Sequence, residues 1–418
     1  MSRRAASFAA YGLLGMPLAM AALPVYIQVP IYYTSQLGLS LSLTGFVLFA
    51  ARIVDTVQDP WIGLWVDRLA RRSRLGRALW VACLVLIIAF AGLWLAPVSG
   101  PLLAAWLAFA LIIVYTAHSV LNIAYLAWGA RLAPDTVGLT KAAGWREAFG
   151  LAGVVLASTL PAWLVNAADR SSQQSMGAYS IAFALLLALG VTALLHRAPS
   201  WLHAQLAENS ASWRVCLANQ PVRRLLPPYF LNALSVSVPA TLALFFIADV
   251  LVEPHWSGYF LGTYFLAGAA GMPVWMKLAT RLGPARAWRL GMILAIITFV
   301  WAATLGPGDR YPYLAICVLA GLSLGADLVL PPVLLARLIP DRQAPAAYYG
   351  LWSLLGKLAL ALSGLALPWL AILDYQPGEI GSGGHALAWT YGGLPCFLKL
   401  LALWRLRNFH DSNGEQTT

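Results

Sequence analysis

Long apolar runs recur along almost the whole chain, each broken by a short polar segment that carries most of the local charge. About 20 apolar residues, at roughly 1.5 Å of rise each, cover the hydrocarbon core of a bilayer as a helix. Read this way, the first half holds spans near residues 8–34, 41–66, 76–96, 101–130, 143–166 and 177–196. The second half holds spans near 225–250, 256–280, 287–306, 311–338, 346–373 and 386–405. A backbone in hydrocarbon must satisfy its own hydrogen bonds, and a helix does so within one segment. The pattern therefore predicts an all-α polytopic membrane protein of twelve spans.

Composition agrees with the pattern. Of 418 residues, 60% are hydrophobic and 10% charged, against about 25% charged in soluble domains. The basic residues are sorted by position. One set of inter-span segments holds Arg3 and Arg4, then Arg68, Arg71, Arg72, Arg74 and Arg77, and later Arg131, Lys141, the stretches 197–224 and 277–289, and Arg337 with Arg342. The opposite set holds Arg170 and Arg310. This positive-inside asymmetry places both termini in the cytoplasm of a bacterial-type inner membrane. It also explains the net charge of +11 as topological, which excludes a nucleic-acid partner. The first span is too long for a removable signal peptide and lacks a small-residue cleavage site. Cys83, Cys216, Cys317 and Cys396 show neither metal spacing nor a disulfide framework. No cofactor is expected, and the chain is expected to act as a monomer in the lipid bilayer.

The most polar stretch, near 196–224, separates six spans from six. The expected organisation is an amino-terminal half over 1–197, a cytoplasmic linker over 198–224, a carboxy-terminal half over 225–406 and a cytoplasmic tail over 407–418. A faint repeat joins the halves. The run from Arg74 to Trp80 follows the second span, and a similar basic run from Arg281 to Trp288 follows the eighth. Two repeated halves rocking about a central site are a layout of secondary transporters.

The second span carries the most informative chemistry, two aspartates in an apolar run. Asp55 and Asp59 are four residues apart, so their carboxylates lie on one helical face, one turn from each other. An acidic group near mid-membrane costs roughly 2.5–3.5 kcal/mol on insertion scales and usually marks an ion or proton path. The alternatives are a site for a small cation or a pair neutralised for packing by Arg52 or another buried base.

Other polar groups fall inside spans. His118, Ser119, Asn122 and Tyr125 lie within two turns of the fourth span. Ser119 and Asn122 offer neutral oxygens to a hard cation, or hydrogen bonds to a neighbouring helix. His118 is read as a core imidazole donating to a carbonyl. Arg146, beside Glu147 in the fifth span, either anchors the interface or offers its guanidinium fork to substrate. Lys357 lies too deep in the eleventh span to snorkel easily, and its acidic partner is either Asp327 or the Asp55/Asp59 pair. Pro331-Pro332, following Asp327, are expected to kink or break the tenth span. In the first span, Tyr26 and Gln28 stand among Pro17, Pro24 and Pro30 and suit a cavity lining.

These residues together resemble the glycoside–pentoside–hexuronide:cation symporters of the major facilitator superfamily, the melibiose-permease-like group. The similarity rests on Ala51 to Asp55, Asp59-Pro60, Gly63 and Asp67-Arg68 in the second span, and on Asn122 to Tyr125 in the fourth. Arg146 and the run from Tyr349 through Trp352 to Lys357 complete it. The resemblance implies a major facilitator fold of twelve transmembrane helices in two six-helix halves. It implies that Asp55 and Asp59 bind sodium, lithium or a proton, that Lys357 sits beside them, that Ser119 supplies a hydroxyl ligand, and that Arg146 matches a sugar-site arginine. Gln58 stands where the family has an asparagine ligand. Ala19 and Asn122 stand where sugar-binding members have aspartates, so the coupling site looks retained and the sugar site does not. A related branch carries lysophospholipids with the same acids and lysine.

The expected function is symport of a small organic solute, coupled to sodium or protons. Asp55, Asp59, Gln58, Ser119 and Lys357 would form the coupling site. Asn122, Tyr125, Arg146, Tyr26, Gln28, Asp327 and Trp352 would contact substrate. The rival readings are an amphipathic, lysophospholipid-like cargo and a non-transporting membrane scaffold. No nucleophile–base set suggests an enzyme.

Overall fold

A computed structural model of the chain describes residues 3–166, 172–198, 212–340, 345–376, 384–407 and 409. Among them there are helices, turns and bends but no strand. The first predicted span becomes α1 (Arg3–Gly12) and α2 (Gly15–Ile31), continued by a π-helical turn over Tyr32–Gln36. Then follow α3 (Leu41–Arg71), α4 (Leu75–Trp94), α5 (Leu102–Gly129), α6 (Thr136–Asn166) and α7 (Ser172–His196). A short α8 (Trp213–Ala218) precedes α9 (Gln220–Phe245), which passes into a π-helical Phe246–Val250. The remainder is α10 (Ser257–Leu282), α11 (Pro284–Ala302), α12 (Arg310–Leu338), α13 (Ala346–Ser363), α14 (Ala366–Ile372), α15 (Gly384–Ala388) and α16 (Leu394–Leu406). Another π-helical turn, Trp389–Gly393, links the last two.

Each of the twelve predicted spans thus has its helix or chain of helices. Among the described residues, nine stretches are long and apolar enough to cross a membrane. Two differences from the sequence reading stand out. The eleventh span divides into α13 and α14. Conversely, α12 is not broken at Pro331 and Pro332 but runs through both, where a kink or break was expected. Its packing against both α10 and α11 holds the helix together despite two missing backbone donors.

The repeat of basic hinges is visible in the connections. Residues 72–74 join α3 to α4, with Ser73 at φ +53°. Gly283 alone joins α10 to α11, at φ +84°, a left-handed backbone that glycine adopts without steric cost.

The chain forms two compact units. The first comprises Met1–Pro134, Lys141–Val215 and Ile339–Leu354; the second comprises Asp135–Thr140, Cys216–Leu338 and Leu355–Thr418. In the first, α3 and α4 pack on α5, and α7 packs on α4 and α2. In the second, α12 lies against α10 and α11, while α16 lies against α9 and α11. An aromatic core gathers there, with the Phe246 and Tyr391 rings stacked 4.2 Å apart and the Tyr313 and Tyr391 hydroxyls 2.8 Å apart.

Helix α3 sets the position of the acids. Ser40 caps its start by accepting from the Leu43 amide at 3.4 Å. Phe46, Phe49, Ile53, Val57, Trp61 and Trp65 form an exposed apolar stripe, the face suited to hydrocarbon. Ala51, Asp55, Asp59, Ile62 and Val66 are buried on the other side.

Candidate functional site

Both acids of α3 point inward. Asp55 is 2% exposed and Asp59 is fully buried, so neither faces the apolar stripe. The Arg52 guanidinium lies one turn before Asp55, with Nη1 2.8 Å from Asp55 Oδ2. It also sits 5.2 Å over the Tyr115 ring, which supports a cation from its π face. Ser119 Oγ donates to the other Asp55 oxygen at 3.2 Å. Between the acids, Gln58 Oε1 accepts from Thr116 Oγ1 at 2.8 Å. Gln58 Nε2 is buried with no hydrogen-bond partner among the described residues. Ser353 of α13 donates a short hydrogen bond to Asp59 Oδ2. Carboxylate, amide and hydroxyl oxygens, the donor types that hard cations favour, thus occur within two turns of α3, with Ser119 of α5 bonded to Asp55, Thr116 of α5 to Gln58 and Ser353 of α13 to Asp59. Among the described residues no group of three or more His, Cys, Asp and Glu is placed to hold a metal ion.

A close approach of backbones fixes α13 on α3. A β-carbon added at Gly63 would stand 2.4 Å from the Ala346 carbonyl oxygen, and one at Gly350 would stand 2.6 Å from that of Asp59. Small residues permit such contact between membrane helices. One turn on, Asp67 Oδ1 accepts from the Ala346 amide at 2.9 Å and Oδ2 from the Ala347 amide at 2.7 Å. Asp67 thus satisfies two of the amides left open at the start of α13. Arg131 Nη2 donates to the Pro340 carbonyl at 2.8 Å.

The other predicted residues are placed as follows. Arg146 is buried and grips its neighbour Glu147, Nε at 2.8 Å and Nη2 at 2.6 Å from Oε1. The Tyr125 hydroxyl donates to the Gly12 carbonyl at 3.0 Å, and the Tyr11 hydroxyl returns a bond to the Tyr125 carbonyl at 3.1 Å. That reciprocal tie makes Tyr125 a fastening between α1 and α5. His118 Nε2 lies 3.1 Å from the Leu18 carbonyl. Asn122 is half-buried, as is Gln28, whose Oε1 has no hydrogen-bond donor among the described residues. Trp352 is buried on α13. The Tyr26 side chain lies outside the described residues. Lys357 is half-buried on α13 and belongs to the second unit.

Asp327 is held elsewhere than the sequence suggested. Lys399 of α16 places Nζ 2.8 Å from Asp327 Oδ2 and donates to Asn232 Oδ1 at 2.7 Å. Asn232 Nδ2 and Trp288 Nε1 both donate to Asp327 Oδ1, at 3.0 and 2.9 Å. Four helices, α9, α11, α12 and α16, contribute to this buried network. Thr116, Ser353, Asn232, Trp288 and Lys399 were all missed from the sequence. Lys399 carried the same signal as Lys357, a lysine deep in a span. Ser353 lies one turn before Lys357, and Thr116 one turn before Ser119, so helical spacing pointed to both.

The family described as MFS/sugar transport protein matches residues 8–410. The inner membrane symporter YicJ of Escherichia coli (strain K12) is 28% identical over 149 residues, which cover 34% of this chain and 31% of that protein. The chain therefore matches about a third of the length of that curated relative. A crystal structure of a bacterial homologue of the iron transporter ferroportin, outward-facing, aligns with a TM-score of 0.72 at 20% identity, covering 96% of this chain and 99% of that one. The major facilitator transporter FucP in its outward conformation aligns at 0.67 and 14% identity, over 98% and 99%. The proton:xylose symporter XylE bound to 6-bromo-6-deoxy-D-glucose aligns at 0.68 and 14%, over 98% and 95%. At such identities the likeness speaks for the fold alone.

Proposed function

The chain belongs to the MFS/sugar transport protein family, and we propose that it is a symporter coupling a sodium ion or a proton to the movement of a small organic solute. The family consists of transporters, not enzymes, and the chain is a multi-pass membrane protein with the major facilitator fold. The observation that carries the proposal is the pair of buried carboxylates on one face of α3, with the Ser119 hydroxyl bonded to Asp55.

Asp55 is neutralised by Arg52. A coupling cation takes that place at Asp55 Oδ2, shares the second carboxylate at Asp59, and draws its remaining oxygens from Ser119 and Gln58. Arg52, displaced, keeps the Tyr115 ring as support. Lys357 is the second base of the proposed coupling set. Because cation and solute favour the same state, each raises the affinity for the other by the same factor. The solute is a glycoside-like or other polar metabolite, with the Arg146 region and Asn122 as its contacts. The family's printed description and the symporter YicJ support a sugar-like cargo. The positive-inside charge pattern supports an inner-membrane location with cytoplasmic termini.

Uptake into proteoliposomes tests the proposal. A panel of glycosides, pentoses, hexuronides and lysophospholipids is offered under an imposed sodium or proton gradient. At least one solute accumulates above equilibrium under one gradient, and Asp55→Asn or Asp59→Asn abolishes that accumulation. Accumulation indifferent to both gradients, or unimpaired in both variants, refutes cation coupling.

A further inference from the structure

A groove of about 580 Å³ opens on the outer surface of the first unit where α3, α4 and α5 meet. Its walls are almost wholly apolar. Val81 is 60% exposed there, and Val85 and Ile112 are also exposed. In a chain that spans a membrane such a surface is covered by acyl chains. One end of the groove differs, being lined by the exposed Arg74 and Arg77. Among the described residues neither guanidinium has an ion-pair or hydrogen-bond partner. These arginines flank the first turn of α4, which no side chain caps, so its open amides add to the positive field. Trp65, 45% exposed, also lines the groove, a residue type suited to headgroup depth. The α5 wall of the groove includes Thr116, the donor to Gln58.

We propose that this groove binds an anionic phospholipid, its phosphate held between Arg74 and Arg77 and one acyl chain lying along Val81, Val85 and Ile112. Basic pockets at the ends of transmembrane helices suit phosphate headgroups, and the apolar length beyond them selects a lipid over a soluble anion. The chain packs on the turn of α5 that holds Gln58.

Native mass spectrometry of the full chain, loaded with phosphatidylglycerol or phosphatidylcholine, tests the site. The wild type retains phosphatidylglycerol preferentially. Arg74→Gln with Arg77→Gln weakens that retention roughly thirty-fold, at the strength expected of two basic charges at a headgroup. Arg68→Gln with Arg72→Gln, two exposed arginines outside the groove, leaves it unchanged. Val81→Trp, which fills the groove and keeps both arginines, lowers it as well. Equal retention of the two lipids, equal losses in the two double variants, or displacement by inorganic phosphate would each overturn the assignment.

Discussion

Lys399 and Asp327 form an ion pair of 2.8 Å between α16 and α12, with side chains only 2% and 6% exposed. Asn232 and Trp288 complete the partners of the carboxylate, so the charges are satisfied as well as paired. A buried pair of this kind is costly to break and cheap to replace, because the penalty arises from leaving one charge alone in a low-dielectric interior.

Lys399→Met should therefore destabilise the protein by about 3–5 kcal/mol. Adding Asp327→Leu to that variant should restore most of the loss. Thermal unfolding of both in the same detergent measures the difference. A double variant less stable than Lys399→Met would show that the network works by another route.

Replacing Asp67 by Ala removes the acceptor of two α13 amides. The expected cost is about 1.5–3 kcal/mol, the range for hydrogen bonds to a charged group. Hydrogen exchange at Ala346 and Ala347 should accelerate specifically. Unchanged protection at those amides would count against the cap.

Gly63→Ala forces a β-carbon to within 2.4 Å of the Ala346 carbonyl oxygen. Overpacking of that kind costs about 1–3 kcal/mol. Gly45→Ala, in the same helix, meets nothing within 4 Å and should be neutral or stabilising by up to about 1 kcal/mol. Opposite shifts in melting temperature are the signature to look for.

Arg52→Gln removes the ion that competes for Asp55. The coupling-cation concentration giving half-maximal protection against unfolding should fall by roughly tenfold, equivalent to about 1.4 kcal/mol. A rise would mean that Arg52 assists the cation instead of opposing it.

The sequence disclosed what local pattern controls. Helix lengths followed from apolar runs, and the common face of Asp55 and Asp59 followed from their spacing. It could not choose among partners. Lys357 and Lys399 are both lysines deep in spans, and only the packing of α16 against α9 and α11 assigns Asp327 to Lys399. Similarly, Arg52 was legible as a possible counter-ion to Asp55, but its 2.8 Å pairing required side-chain geometry. Of the kink or break expected at Pro331-Pro332, the break is absent for a related reason. Local propensity argues against a helix there, and burial between two neighbours overrides it. The meeting of Gly63 with Ala346 joins residues far apart in the chain, and no spacing rule reaches that far.

The single-residue connection at Gly283 carries a practical consequence for anyone labelling this protein. An epitope or fluorescent reporter placed there would have to unwind the end of α10 or α11, because no slack separates them. The corresponding stretch at 72–74 is longer by two residues, but its amides are bonded back to α3 and Arg74 belongs to the proposed headgroup site. Two connections that read alike as basic hinges thus differ in length, and α10 with α11 behaves as one stiff hairpin.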